Sequence, residues 1–453
     1  MVARISLERS QQLYRDALKY IPGGLNSRSR FAPPGEHPLY MSRAAGSRLF
    51  DVDGNEYLDY LMGFGPIILG YCDPVVNEAV REQLERGSVF GMSNELEIEV
   101  AKKLVNDIPC ADLAFMSNTG SEANTMAIRL ARAFTGKDKI AKFEGVWHGW
   151  LDWCLVDSVY QCTGPLLQPH GGSEQSPIPC IGEAGVTTSI VNDYVVLPWN
   201  ETEAVEKTLR RRANEIAAVI VEPSGPLGTM MPEEGFLEVI RKVTDEMGIL
   251  LIFDEVKTGF RLSLGGYQQL HGVVPDLSTY AKAMGNGFAV AAVAGRKDIM
   301  ELTERGIVSH AGTFNGNPIS MAASLAVLSE LEKPNRYEHL YGLTSKLVKG
   351  MSDAIDDTGV EAILVGPGTH KTKPGPMFDI YFTDAHRIRS ARDMHTARKD
   401  IHIRRRQTFI KEMLTRGIHM TPHVQFISFC HTEEEINSTI QAVEESLNEC
   451  KKT

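Results

Sequence analysis

The chain has 453 residues, 43% of them apolar, which is enough to build a large core and more than one domain. Its net charge of −11 argues against nucleic acid as a main partner, and no apolar run approaches the roughly 18–20 residues that span a bilayer. The charged first thirty residues lack a secretory core, and seven cysteines without a C-x-x-C pair suit neither a disulfide framework nor a zinc site, so a reducing cytoplasm is expected. Apolar positions Leu7, Leu13, Tyr14, Ala17, Leu18 and Ile21 predict a short amphipathic helix closing at Gly23-Gly24. Next, RLFDVDGNEYLDY (48–60) predicts strand stretches around a turn at Asp53-Gly54.

From about residue 75 helical and strand patterns alternate. VVNEAVREQLERG reads as a helix, LAFMSN as a strand, SEANTMAIRLARAFTG as a helix and KIAKFEG as a strand. AAVIVEP, GILLIFDE and LSTYAK are short buried strands, with GFLEVIRKVTDEMG as the crossover helix between the first two. This order predicts an α/β fold with a mainly parallel sheet covered by helices on both faces. Residues 160–194 lack clear periodicity, which marks a functional or mobile segment. From about 315 a long helical stretch leads into a smaller unit, with a strand at MFDIYF and helices at TFIKEMLTRG and EEEINSTIQAVEESLNE. The basic stretch 386–406 reads as a solvated helix face, because no aromatics interleave it and the chain is acidic.

In open parallel sheets, ligands bind beyond the carboxyl ends of the strands. Four features sit there. Asp254 ends the run GILLIFD, Gly120-Ser121 follow LAFMSNT, Trp147-His148-Gly149 follow KIAKFEGV, and Lys282 stands between LSTYA and a glycine-rich turn. Each has a plain reading. Gly120-Ser121 can be a turn and cap, Trp147 core, Lys282 a surface lysine and Asp254 a helix cap. Gly120-Ser121 can equally be a phosphate cradle at a helix N-terminus, though no G-x-x-x-x-G-K-[ST] loop occurs. One ligand accounts for all four at once: an aromatic cation with a phosphate tail and an aldehyde. Pyridoxal 5'-phosphate has that chemistry, and a carboxylate at its pyridine nitrogen keeps the ring an electron sink.

LLIFDEVKTGFR…GVVPDLSTYAKAMGNG, SNTGSEAN, FEGVWHGW and AGTFNGNP together resemble the class III aminotransferases among the fold-type I pyridoxal phosphate enzymes. The similarity runs from IPGGLNSRSR to EEEINSTIQAVEESL and is greatest to the glutamate-1-semialdehyde aminomutase branch. It implies a large cofactor domain at 75–314 and a smaller α+β domain built from both ends, 1–74 and 315–453. By motif, Lys282 resembles the Schiff-base lysine and Asp254 the partner of the pyridine nitrogen. Val256 and Trp147 would flank the ring, with His148 beside it, and Thr119, Gly120 and Ser121 would hold the phosphate. Thr313 would reach the phosphate of a neighbouring subunit, implying a homodimer with shared sites. Arg30 occupies the place of a carboxylate-binding arginine, and residues 160–194 that of a mobile lid.

The substrate side departs from the pattern. Members acting on terminal amines carry a glutamate where VEPSGPL has Leu227; aminomutases carry a tyrosine at Trp147, a tryptophan at Phe64 and an E-A-G-F segment that TPHVQFISFCHT lacks. The expectation is therefore an aminotransferase taking an amino group from an amino acid or amine to a 2-oxo acid. Alternatives on the same scaffold are the aminomutase and an amino-acid racemase or epimerase. A catalytically silent binding protein is disfavoured by the retention of both Lys282 and Asp254.

Overall fold

The apolar run at the middle of the chain lies at the centre of a mixed sheet. The computed structural model describes residues 5–30, 37–157, 171–181, 183–370, 375–397, 399–422 and 424–453. Its main sheet has seven strands: β1 (Leu113–Ser117), β2 (Lys139–Phe143), β3 (Tyr194–Leu197), β4 (Ile216–Val221), β5 (Leu250–Asp254), β6 (Leu277–Tyr280) and β7 (Ala291–Gly295), in the spatial order β1-β7-β6-β5-β4-β2-β3. Only β7 runs antiparallel to its neighbours. Every residue of β5 is buried, because helices cover both faces, which is why its sequence is continuous rather than alternating. Each such Leu, Ile or Phe side chain contributes roughly 1.5–3 kcal/mol by leaving water.

The helix α1 (Gly120–Thr135) lays Ala123, Ala127, Leu130 and Ala131 against Leu250 and Ile252 of β5. Small residues at three of these positions let the helix approach the sheet closely. The crossover helix α2 (Phe236–Met247) ends at Gly248, in the left-handed conformation that a chain reversal requires (φ 60°). The helix α3 (Pro318–Leu331) packs on helices Pro74–Leu84 and Glu95–Asp107.

The chain divides into two compact units. One comprises residues 74–337 with 388–396; the other comprises the described parts of 1–73, 338–387 and 397–453. The expected cuts were at 74/75 and 314/315; the packing of α3 carries the first unit on to residue 337. In the second unit, strands Met41–Ala45, Arg48–Asp51, Glu56–Asp59 and Ile418–His419 form one sheet, so the two ends of the chain pair with each other. Ala362–Val365, Met377–Phe382 and Gln425–Phe426 form another. Buried Asp59 ties the ends together, accepting from His419 Nδ1 (2.7 Å) and Tyr71 Oη (2.8 Å).

Strands β3 and β7 and helices Glu95–Asp107 and Arg336–Thr358 have no counterpart in the sequence reading. The alanine-rich β7 (AAVAG) carries neither β-branched alternation nor helical period. The basic stretch also differs from expectation. Arg392 grips Glu144 with two bonds (2.6 and 2.9 Å), Arg389 meets Glu233 (2.6 Å), and in the second unit Arg405 meets Glu361 (2.7 Å). These arginines are a set of ion-pair anchors rather than a solvated face. Of the expected lid, residues 160–170 and 182 lie outside the described residues, while Gly171–Ser173 and Ser176–Ile178 form a hairpin. Arg392 donates to the Gly171 and Gly172 carbonyls of that hairpin (3.0 and 3.1 Å). Among the described residues, no helix is long and apolar enough to cross a membrane, and the six described cysteines are free thiols.

Candidate active site

Parallel strands deliver their last residues to one edge. The registers Val221↔Phe253 and Asp254↔Thr279 set Glu222, Asp254 and the stretch after Thr279 side by side. Lys282 lies three residues beyond Thr279, with a left-handed backbone (φ 49°), costly for a residue bearing Cβ.

Asp254 is 3% exposed. Its Oδ2 accepts from His148 Nδ1 (2.7 Å) and Asn124 Nδ2 (2.8 Å), and its Oδ1 from the Val256 N–H (3.1 Å). Burial favours the neutral acid, but the bond and charge of His148, followed by the other donors, outweigh it and hold Asp254 below the ordinary carboxylate range. His148 Nδ1 faces Asp254, while its Nε2 is buried with no hydrogen-bond partner among the described residues. The neighbouring Glu255 has a different fate. It accepts from the Tyr267 and Gln268 N–H groups (2.6 and 3.2 Å) and from Thr258 (2.7 Å), yet burial still raises its pKa. Glu255 fixes the turn after β5; Asp254 faces the strand ends.

Lys282 is the counterpart of Asp254. Its Nζ makes no hydrogen bond or ion pair among the described residues, and burial, reinforced by the charge of Lys257, lowers its pKa to about 7. A lysine in this condition is substantially neutral, and so nucleophilic, near pH 7.

At α1 the cap is Thr119, whose hydroxyl accepts from the Glu122 N–H while Glu122 returns to the Thr119 N–H (3.2 and 3.0 Å). The N–H groups of Gly120 and Ser121 make no hydrogen bond among the described residues and remain for a ligand. Gly120 lies against Val256: a Cβ there would come within 2.8 Å of Val256 Cγ2. Gly149 closes the other side, where a Cβ would stand 2.3 Å from Ser121 Oγ. Its φ of 126° also excludes larger residues. Trp147 and Val256 are both half-buried beside these groups in sequence, and His148 is fully enclosed.

The structure therefore gathers Gly120, Ser121, His148, Asp254 and Val256 through direct contacts. Thr313 is exposed in the turn before α3, a turn tied to the end of β1 by the Asn118–Asn315 bond (2.8 Å). Arg30, exposed at the end of a short turn, and Phe64, with φ 69°, belong to the other unit. Sequence reasoning missed Asn124 and the Lys257–Glu222 pair (2.7 Å). Asn124 donates to Asp254 and to the His148 carbonyl (2.9 Å) and accepts from Thr279 (2.6 Å). Its signal was available: an asparagine on the apolar face of a helix needs partners.

A model of the family described as "Aminotransferase class-III" matches residues 31–443. The chain belongs to this family. It is 41% identical to a glutamate-1-semialdehyde 2,1-aminomutase of Ignicoccus hospitalis, over 97% of this chain and 99% of that one. An enzyme of the same name from Archaeoglobus fulgidus is 40% identical over 98% and 100%. Among solved structures, an omega-transaminase from Sphaerobacter thermophilus superposes with a TM-score of 0.89 at 31% identity, covering 98% of both chains. A glutamate-1-semialdehyde aminomutase from Pseudomonas aeruginosa gives 0.83 at 23%, covering 97% and 94%, and so shares the fold. That fold is the fold-type I arrangement of pyridoxal phosphate enzymes.

Proposed function

We propose that the carboxyl edge of the sheet holds pyridoxal 5'-phosphate and that the chain is an aminotransferase, carrying an amino group from an amino acid or amine to a 2-oxo acid. One observation carries this reading: a buried Asp254 of lowered pKa and a buried Lys282 of lowered pKa, without a hydrogen bond or ion pair among the described residues, stand at neighbouring strand ends of a class III member. The residues fit the group. The N–H groups of Gly120 and Ser121 suit its phosphate, Asp254 its pyridine N–H, Val256 and Trp147 its ring faces, and Lys282 its aldehyde. His148 and Asn124 hold Asp254 in place.

When bound, the cofactor supplies an electron sink for the pair left as substrate Cα loses its proton. Lys282 would be the base that takes that proton, which requires its Nζ to be neutral when free. Thr313 would serve the phosphate of a second copy; exposed apolar side chains on this unit, including Phe90, Met92 and Phe314, suit a homodimer. Arg30 and Phe64 keep substrate roles on the resemblance alone, as does a cytoplasmic location.

A second reading is favoured by the 41% and 40% identical relatives, both glutamate-1-semialdehyde 2,1-aminomutases. In that case one substrate suffices and no acceptor is needed. Against it stand Trp147, Phe64 and the missing glutamate near the C-terminus, while the 31% identical solved structure is a transaminase. The test is to mix holoenzyme with a panel of amino acids and amines without acceptor and follow the cofactor spectrum. Transamination predicts that the reaction stops at the amino form and resumes when a 2-oxo acid is added. Efficient conversion of glutamate-1-semialdehyde to 5-aminolevulinate with no acceptor would establish the mutase instead.

A further inference from the structure

The loop that carries Trp147, His148 and Gly149 holds a further tryptophan that the reading above leaves unused. The base of this loop is closed by the Gly145 N–H, which donates to the Asp157 carbonyl (2.9 Å). Within it, Trp153 sits on a short helical turn, Asp152–Leu155, and packs half-buried against the core shared by α1 and the sheet. Its indole N–H donates to Thr125 Oγ1 (3.1 Å), and the Thr125 hydroxyl donates in turn to the Ser121 carbonyl (2.7 Å). The same indole lies nearly parallel to the His148 ring, with centroids 6.3 Å and planes 16° apart, and to Tyr194 of β3 (6.4 Å, 11°). An imidazole held at one nitrogen can still tilt about that bond. Among the described residues the His148 ring makes one hydrogen bond, to Asp254, so the packing around it sets its plane. Trp153 is thus one side chain connected to Ser121 through Thr125 and to Asp254 through His148.

We propose that Trp153 is a positioning residue that braces the cofactor cradle at both ends. Through Thr125 it fixes the Ser121 carbonyl, and with it the first turn of α1, where the Gly120 and Ser121 N–H groups suit the phosphate. Through the ring stack it holds His148 in the plane from which Nδ1 meets Asp254 (2.7 Å). Thr125 also adjoins Asn124, the other side-chain donor to Asp254 (2.8 Å). A tryptophan that only filled space would affect both ends of the cradle alike. A brace gives each contact its own consequence: the N–H bond acts on the phosphate end, and the stack on the end that meets the pyridine nitrogen. This inference rests on the proposed function, because both ends are those of a cradle for pyridoxal phosphate.

The test is equilibrium titration of the full-length, cofactor-free chain with pyridoxal 5'-phosphate and, separately, with pyridoxal, which lacks the phosphate. Absorbance reads binding without any turnover, and circular dichroism checks the fold. Trp153→Phe keeps an aromatic face and loses the N–H, so affinity for pyridoxal phosphate should fall about threefold to tenfold, and that for pyridoxal by less than about twofold. Thr125→Val should show the same pattern, and Thr125→Ser, which keeps the hydroxyl, should bind both probes like wild type. Adding Trp153→Phe to Thr125→Val should cost nothing further, since both remove the same bond. Trp153→Leu, which also removes the stack, should weaken both probes by about threefold or more. Equal losses for the two probes in Trp153→Phe, additive losses in the double variant, or undiminished pyridoxal binding in Trp153→Leu overturns the proposal. If the Trp153 variants do not fold, the Thr125 pair decides, and wild-type selectivity between the probes in Thr125→Val is equally fatal. Failure of the wild-type chain to bind either probe would refute the proposed function itself, which borohydride trapping of the cofactor on Lys282 judges separately.

Discussion

The two edges of the main sheet carry nearly the same ingredients and use them differently. At the amino edge, Asp276 precedes β6 and is 5% exposed. Its Oδ1 accepts from Arg296 (2.7 Å), and its Oδ2 from Arg241 (3.0 Å) and the Leu251 N–H (2.8 Å). Asp276 there is matched by two guanidinium groups. At the carboxyl edge, Asp254 is held by neutral donors and by His148, and Lys282 makes no hydrogen bond or ion pair among the described residues. A buried acid satisfied by guanidinium groups is a fastening. A buried acid and a lysine kept apart from each other form a site waiting for a ligand that supplies both a cation and an electrophile.

The comparison can be broken most severely at Asp254. Asp254→Asn keeps the shape and both Oδ2-side neighbours but cannot hold a pyridine nitrogen protonated. Steady-state turnover should fall on the order of 10²–10⁴-fold while the fold survives by circular dichroism. Near-normal turnover would make the carboxyl edge no more special than the amino edge.

The next effect is in pH. Lys282 titrates at about 7, below the value of an unfolded lysine, so its neutral fraction grows as pH rises through that point. Capture of pyridoxal phosphate by the cofactor-free chain should therefore speed up by nearly tenfold per pH unit well below 7, roughly fiftyfold from pH 5 to 7, and level off above it. Stopped-flow absorbance reads this directly; a rise continuing to pH 10 would mean an ordinary lysine. The same lowered pKa makes the protonation of Lys282 oppose folding at low pH, so its contribution to stability increases between about 7 and the unfolded lysine value.

A smaller effect is expected at the phosphate cradle. Gly149→Ala places a methyl where Ser121 Oγ stands and forces a left-handed backbone on alanine. Cofactor affinity should weaken about tenfold or more, which is about 1.4 kcal/mol, as measured by titration of the cofactor-free chain. The smallest effect on chemistry belongs to the amino edge. Asp276→Asn should lower stability by about 1–3 kcal/mol in a denaturant titration, discounted because Arg296 is partly exposed. Its turnover should stay close to wild type, which sharpens the contrast between the edges.

Much of this contrast was legible in the chain. Continuous apolar runs such as LLIF reported strands covered on both faces, and the residues just beyond them marked the site edge. The motif carrying Asp254, Val256 and Lys282 pointed to those three positions as candidates. What stayed hidden were partnerships between segments far apart in sequence. Asn124 and Asp254 are 130 residues apart, and Arg392 and Glu144 are 248 apart; no periodicity links such pairs. The small-residue strand β7 was invisible because alanine and glycine carry no strand preference of their own. The pairing of Glu222 with Lys257 depends on strand order, which composition does not encode.

The central claim is that the buried Lys282 at the carboxyl edge is where the cofactor attaches. Reducing the holoenzyme with borohydride and mapping the pyridoxyl-labelled peptide tests it in one step. The account predicts the label on Lys282 within the stretch LSTYAKAMGNG, with none on its close neighbour Lys257. Label on Lys257, or on any other lysine, would contradict it.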